Sequence, residues 1–169
     1  MKSLDSDTIP VYTAFMKNGN AQHDQDVFQQ VVTQCTCGNL RKTSRAITQL
    51  YDAVLQPSGL LGTQFQLLGA IAAHGPVPLT PLAEQLGLDP TTLARNLKPL
   101  ERDGLVEIAR GADRRTRMLK ITGPGRVALE KALPLWEEAQ AWIIGQLGED
   151  RWRAMLGDWS DLVAVVGKR

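Results

Sequence analysis

The segment from Leu79 to Ile121 constrains the fold of this chain more than any other part of its sequence. In it, proline follows a helix-capping residue twice, at Thr80-Pro81 and at Asp89-Pro90. A capping side chain followed by proline is a favoured way to begin a helix. Gly87 and Gly104 follow at the distances where short helices would end. The pattern therefore predicts two short consecutive helices, the first beginning after Thr80 and the second after Asp89.

A short hairpin is expected after the second helix. Leu105 to Ile108 favours a strand, Gly111-Ala112-Asp113 a turn, and Arg117 to Ile121 a returning strand. The turn between the strands is rich in arginine. Two short helices followed by such a hairpin have the order of a winged helix-turn-helix. We therefore expect a mainly α fold with a small β-wing.

The second short helix is predicted to have one apolar and one basic face. Leu93, Leu97 and Leu100 recur at helical spacing and should face inward. Four other residues recur with the same period and should face outward: Thr91, Arg95, Lys98 and Arg102. Pro99 conflicts with this helix, because an interior proline costs about 3 kcal/mol. The leucine stripe continues past it, so we expect either a kink or a loosened last turn.

These outward side chains suit a helix that enters a DNA major groove. Arginine can bind guanine through two hydrogen bonds and asparagine can bind adenine, which are the roles expected for Arg95 and Asn96. Thr91 and Thr92 are short enough to reach phosphates or thymine methyl groups. Lys98 and Arg102 lie further along and are expected at the DNA backbone.

The positive charge of the chain is concentrated in this module. Residues 91–120 contain eight lysines and arginines but four acidic residues, whereas the whole chain has a net charge of only +1. A local basic surface on a nearly neutral protein is typical of a duplex-binding face.

The flanking segments predict long helices. Apolar residues recur at helical spacing from Asp24 to Leu55, from Arg126 to Leu147 and from Glu149 to Val166. Four tryptophans fall in the C-terminal pair: Trp136, Trp142, Trp152 and Trp159. They favour an interface with a second subunit over burial within one.

The predicted organisation is one compact domain with three parts. Residues 1–23 form a flexible arm, residues 61–122 the winged helix-turn-helix, and residues 24–60 with 123–169 a helical dimerisation region. No apolar run is long enough to span a membrane, and the first residues lack the apolar core of a secretion signal, so a cytoplasmic protein is expected. Catalytic motifs, a metal site and a cofactor motif are not visible, so we expect no enzyme.

On these features the chain resembles the multiple antibiotic resistance regulator (MarR) family from about Cys35 onward. Asp113-Arg114-Arg115, followed by Leu119 to Thr122, is similar to the family's wing signature, Asp-x-Arg and then Leu-Thr. The signature is stretched here, or has Ile121-Thr122 in its place. The resemblance implies that Arg115 enters the minor groove and that Asp113 braces the wing. Arg114 and Arg117 belong to the same basic segment and are also expected to contact DNA.

The family resemblance also implies a function. Its members are homodimeric winged-helix transcription factors, usually repressors that a small phenolic compound or oxidation releases from DNA. The expected partners are therefore a second copy of the chain and a pseudo-palindromic DNA duplex with half-sites about 10 bp apart.

The pair Cys35-Thr36-Cys37 is the one place where covalent chemistry is expected. If both cysteines are helical, their side chains point about 200° apart and do not readily form a disulfide or grip one metal ion. Cys37 and Tyr51 resemble the organic-hydroperoxide-sensing branch of the family, in which tyrosines activate an oxidisable cysteine. Arg41 replaces one of those tyrosines, although its charge could also stabilise a thiolate. An equally good interpretation is that both cysteines are small, buried apolar residues without a chemical role.

The resemblance implies a ligand pocket between the dimerisation helices and the winged helix. Arg45 could meet a carboxylate there, and Tyr51, Phe65 and Trp136 could form its walls, although ordinary packing explains each of them too. Two other functions stay open: a thiol peroxidase that uses Cys37, and a winged helix that binds only protein.

Overall fold

A computed structural model describes residues 21–111, 113 and 116–167, with side chains from Asp24 onward. The chain divides into two compact units, one up to Ala46 and one from Ile47. The predicted arm over residues 1–23 lies almost entirely outside the described residues, and only its last three residues are described, as the start of a helix.

The first unit contains a helix break that the sequence did not predict. Helix α1 spans Ala21–Gln34 and helix α2 spans Thr36–Leu55, so the expected single helix from Asp24 to Leu55 is wrong. The side-chain amide of Asn39 donates to the carbonyl oxygens of Thr33 and Cys35, both at 3.0 Å. These bonds satisfy carbonyls at the end of α1, where a helix leaves them without partners. A glycine within a helix weakens it, so the sequence indicates Gly38 as the weak point of this segment. The break lies instead at Cys35.

The second unit begins within α2 and contains the remaining elements. They are a short 3-10 helix over Gln56–Ser58, helices α3 Gly62–His74, α4 Leu79–Gln85, α5 Pro90–Arg102, α6 Gly123–Leu147 and α7 Glu149–Val166, and strands β1 Val77–Pro78, β2 Val106–Arg110 and β3 Arg117–Ile121. The predicted class, mainly α with a small wing, is confirmed.

Two predicted helix starts are shifted. Thr63 and Gln66 have the spacing of a capping box, which predicts a helix cap at Thr63. This prediction is wrong: α3 begins at Gly62, and the side chain of Gln64 accepts from the backbone N–H of Leu61 at 2.9 Å. Helix α4 begins at Leu79, so Thr80 is already helical and does not cap it.

Other helix ends are better predicted. Asp89 caps α5 as expected, and α5 continues through Pro99 to Arg102. Helix α6 begins at Gly123, three residues before the predicted start, because Thr122 caps it. Helix α7 has the predicted bounds.

The sheet is antiparallel, with β3 between β1 and β2. Val77 pairs with Leu119 at one edge, and Val106 pairs with Ile121 at the other. The two-residue strand β1 was not predicted, and β2 runs from Val106 to Arg110 instead of from Leu105 to Ile108. This longer β2 brings Arg110 opposite Arg117 at the base of the wing.

A leucine-rich core holds the second unit together. Its fully buried large side chains come from α2, α3, α4, α5 and β3: Leu55, Leu68, Ile71, Leu82, Leu93, Leu97, Leu100 and Leu119. Burial of a leucine contributes about 1.5–3 kcal/mol. Because three of these residues belong to α5, that helix is fixed against the core along its whole length.

Candidate nucleic-acid interface

The start of α5 is fixed by a local hydrogen-bond network. The carboxylate of Asp89 accepts from the backbone N–H of Thr92 at 2.9 Å and from its hydroxyl at 2.5 Å. These hydrogen bonds to Thr92 lower the pKa of Asp89, because they favour the charged carboxylate. The hydroxyl hydrogen of Thr92 is therefore used within the helix cap. The neighbouring Thr91 is exposed, so of the two threonines it is the better placed to contact DNA.

The inner and outer faces of α5 are separated as predicted. Leu93, Leu97 and Leu100 are fully buried. The exposed side chains on the opposite side are Thr91, Arg95, Lys98 and Arg102; Asn96 is also exposed, but it lies between the two faces. This arrangement leaves a polar and basic surface of about three turns on a rigidly packed helix.

Arg102 differs from the other cations of this surface because it has an ionic partner. Its Nε donates to Asp103 at 2.9 Å, and this hydrogen bond and charge raise the pKa of Arg102. Both side chains are largely exposed. Exposed pairs of this kind contribute little to stability, so Arg102 can exchange Asp103 for another anion at little cost.

The wing turn closes through backbone hydrogen bonds. Gly111 donates to the carbonyl of Thr116 at 2.8 Å, and Thr116 donates to the carbonyl of Asp113 at 2.9 Å. Asp113 is exposed. Arg114 and Arg115 lie outside the described residues, so their roles, and the bracing role of Asp113, stay predictions.

Two surface grooves lie where α5 meets the sheet, and Arg117 lines both. The first, of about 650 Å³, lies beside the starts of α4 and α5 and is lined by Pro78, Leu79, Thr80, Pro81, Pro90, Thr91, Ala94, Thr116 and Arg117. The second, of about 290 Å³ and here called the helix-wing groove, is lined by Ala94, Lys98, Glu101, Ile108, Ala109, Arg110 and Arg117. Arg110 was not among the predicted site residues; only its place opposite Arg117 in the hairpin would have indicated it.

A tight joint connects the wing to α6. The hydroxyl of Thr122 donates to the carbonyl of Gly104 at 2.7 Å and accepts from the backbone N–H of Gly125 at 3.0 Å. A Cβ added at Gly125 would overlap the carbonyl oxygen of Leu105 and lie 2.9 Å from its carbonyl carbon. Thr122, the end of the wing signature, therefore caps α6 and holds it to the turn after α5.

A separate apolar cavity of about 480 Å³ lies in the second unit, between the end of α2, α3 and α6. Its walls include Tyr51, Phe65 and Trp136, and the rings of Phe65 and Trp136 stack with their centroids 6.0 Å apart. The residues that line it carry no ionisable group other than the Tyr51 phenol. The Tyr51 hydroxyl donates to the side-chain oxygen of Gln140 at 2.5 Å, and partial burial raises the pKa of Tyr51.

The remaining predicted residues lie in the first unit. Cys35 and Cys37 are free and exposed, so the interpretation as buried apolar residues is wrong. Cys35 lies between the helices, and its sulfur accepts from the backbone N–H of Gly38 at 3.4 Å. Because Cys35 is not helical, the expectation that the two cysteine side chains point about 200° apart, and so do not form a disulfide, does not apply. Arg45 lines a surface depression with Leu40, Arg41 and Ser44.

The part of the chain that the structure describes contains no cluster of ligands suited to a metal ion. Nor does it contain a helix that is long and apolar enough to cross a membrane.

Comparison with known proteins identifies the family. A sequence model described as the MarR family matches residues 58–116. The crystal structure of the Mycobacterium tuberculosis transcriptional regulator MosR in complex with DNA is 38% identical, with a TM-score of 0.74, and the match covers 80% of this chain and 98% of that one. The chain belongs to the MarR family. Its resemblance to transcriptional regulators of this family is thereby confirmed.

Curated relatives of this MarR-family chain are also regulators. The organic hydroperoxide resistance transcriptional regulator of Bacillus subtilis is 30% identical over 59% of this chain and 68% of its own length. An uncharacterised helix-turn-helix regulator of the same species, YwoH, is 26% identical over 49% of this chain, and that match spans 61% of the relative. The repressor CouR, bound to a 23-mer duplex, is 24% identical with a TM-score of 0.70 and supports the fold alone.

Proposed function

We propose that this protein is a homodimeric, sequence-specific DNA-binding transcriptional repressor of the cytoplasm. The observation that carries the proposal is the exposed polar and basic face of α5, held by three fully buried leucines and flanked by Arg117 of the wing. Such a helix can read base edges while neighbouring cations contact phosphates. The MosR relative was crystallised with DNA, which supports the same partner for this chain.

Apolar side chains exposed in each unit support a homodimer. In the first unit Phe28, Val31 and Val32 are more than half exposed, and in the second Trp142 and Val163 are. Grouped apolar exposure of this kind is typical of an interface. A two-fold dimer would present two copies of α5 to successive major grooves, which is why we infer a pseudo-palindromic operator with half-sites about 10 bp apart.

The cavity next to Tyr51 supports release by a small aromatic molecule. Its stacked aromatic wall and lack of charged lining favour a neutral ring system over an anion, because an unpaired buried charge is costly. Arg45 is not among the residues that line it, so its expected role toward a carboxylate stays a prediction.

Oxidation is a second candidate for release, and the exposure of both cysteines favours it. A cysteine thiolate would take one oxygen atom from an organic hydroperoxide, which leaves as the alcohol; the resulting sulfenic acid can condense with a second thiol to a disulfide and water. The Bacillus subtilis relative is named for organic hydroperoxide resistance, which supports this effector class.

A titration of fluorescent DNA from the region upstream of the protein's own coding sequence tests the proposal. We expect binding that weakens steeply with salt, because bound lysines and arginines displace counterions. Arg95→Ala should weaken binding and relax base preference, whereas Arg115→Ala should weaken binding to all sequences. Unchanged affinity in both variants, with a genomic-fragment selection that recovers no DNA, would contradict the proposal.

The same titration separates the two release mechanisms. Loss of binding after hydroperoxide treatment, restored by a thiol reductant and absent in Cys37→Ser, would support oxidation. If only neutral aromatic compounds abolish DNA binding, and if they do so less effectively in Phe65→Ala, release by a ligand would be supported. Catalytic turnover of hydroperoxide with a thiol reductant would instead indicate a thiol peroxidase.

A further inference from the structure

Two arginines face each other across the base of the wing. Arg110 ends β2, Arg117 begins β3, and the register of the hairpin pairs them directly. Both side chains are exposed, and neither forms an ion pair with another residue in the described ranges. Like charges directly opposite each other destabilise a strand pair. The fold by itself therefore gains nothing from this pairing.

The pleat of the hairpin shows which way the pair faces. Side chains alternate along a strand, so Arg110 and Arg117 share a face with the pairs Ile108–Leu119 and Val106–Ile121. Val106 and Leu119 are buried, and β2 packs against α5. The two arginines thus extend the core-facing side of the wing toward α5. The pair Glu107–Lys120, in which the two residues have opposite charges, lies on the other face of the hairpin.

A third cation, which belongs to α5, lines the same groove as the two arginines. Lys98, Arg110 and Arg117 all line the helix-wing groove, and Glu101 is the one acidic residue among those that line it. Two positive charges are therefore in excess. Lys98 is also part of the exposed surface of α5, so the groove is continuous with the face proposed to read DNA.

We propose that Arg110, together with Arg117 and Lys98, binds a phosphate of the DNA backbone beside the major groove that α5 enters. A phosphate between the two arginines would offset their repulsion, and the guanidinium fork matches phosphate oxygens. The proposal rests on the DNA-binding function proposed above. It assigns Arg110 to positioning the protein on the duplex and not to reading sequence, because phosphate contacts carry no base information.

Charge substitutions at position 110 test the proposal by their opposite effects on stability and binding. In Arg110→Gln, we expect DNA affinity to fall on the order of tenfold, equally for operator and scrambled duplexes. The slope of log affinity against log salt should become shallower by about one for each phosphate that the variant no longer binds. Arg110→Glu should bind DNA still more weakly, yet its melting temperature should match or exceed that of the wild type, because the introduced carboxylate would lie opposite Arg117.

The matched control is Lys120→Gln, which removes the same charge from the same wing on its other face. It should change affinity and salt slope much less than Arg110→Gln does. Equal losses in the two variants would indicate a general charge effect and overturn the phosphate contact, as would Arg110 variants that bind like the wild type. A wild-type protein that binds no duplex would instead overturn the proposed function itself, and this inference with it.

Discussion

Helices α5 and α7 use their apolar residues in opposite ways. In α5 the leucine stripe is fully buried within the unit, whereas α7 contains no buried residue and exposes Leu156, Trp159 and Val163. Both helices carry apolar residues at helical spacing, so the spacing alone does not distinguish them; only the tryptophans of α7 favoured an interface. The difference indicates that α5 is packed by its own chain, while the apolar side of α7 is suited to a partner surface.

The largest effect on stability is expected from a substitution at Gly125, because the close contact at this residue fixes α6 to the segment that follows α5. We expect Gly125→Ala to destabilise the protein by more than about 3 kcal/mol, since its Cβ would overlap the Leu105 carbonyl oxygen. Thermal or urea unfolding measures the effect. Gly123→Ala is the matched control, because in the described part of the chain an added Cβ there would have no atom within 4 Å beyond its chain neighbours and its own helix backbone. A similar loss in both variants would contradict the close approach at Gly125.

The buried stripe of α5 gives the next largest expected effect. Leu97→Ala should reduce the free energy of unfolding by about 2–5 kcal/mol, because a fully buried leucine leaves a cavity when truncated. Leu156→Ala, at a position 46% exposed on α7, should cost the isolated protomer much less. The comparison between the two helices would fail if both variants lost the same stability in dilute protein.

The exposed stripe of α7 should matter for association instead. Val163→Asp places a charge where a partner is expected, so the dimer dissociation constant should rise at least about tenfold with little change in helix content. Ala154→Asp serves as the control, because its side chain lies on the opposite side of α7. Sedimentation velocity across a concentration series would measure both; dissociation unchanged in Val163→Asp would remove α7 from the interface.

Features that depend on neighbouring residues were the ones that could be predicted from the sequence. The buried leucines of α5, its cap at Asp89, the strand Arg117–Ile121 and the bounds of α7 follow from spacing and capping. The segregation of the basic face of α5 follows from the same periodicity.

Features that depend on residues several positions away, or on strand register, could not be predicted from the sequence. At the break near Cys35, the side-chain amide of Asn39 donates to the carbonyls of both Thr33 and Cys35. The importance of Gly125 comes from the backbone of Leu105, twenty residues earlier. Arg110 enters the candidate site only because β2 is longer than its apolar pattern suggests.

The smallest effect on stability is expected from the cap of α5, and this effect should depend on pH. Hydrogen bonds from Thr92 lower the pKa of Asp89 in the folded protein below its ordinary value of 3.8. A lowered folded-state pKa means that the carboxylate stabilises the fold above about pH 4, and that this contribution is lost as the pH falls through the folded-state value. Asp89→Asn keeps a capping oxygen that does not titrate.

We therefore expect Asp89→Asn to melt slightly below the wild type at pH 7, and this difference should shrink as the pH falls below 4. Thermal melts of both proteins between pH 3 and pH 7 would measure it. A difference that stays constant over this range would mean that the carboxylate charge contributes nothing to the cap. In that case α5 would owe its fixed start to Pro90 and to its buried leucines, and the contrast with α7 would rest on packing alone.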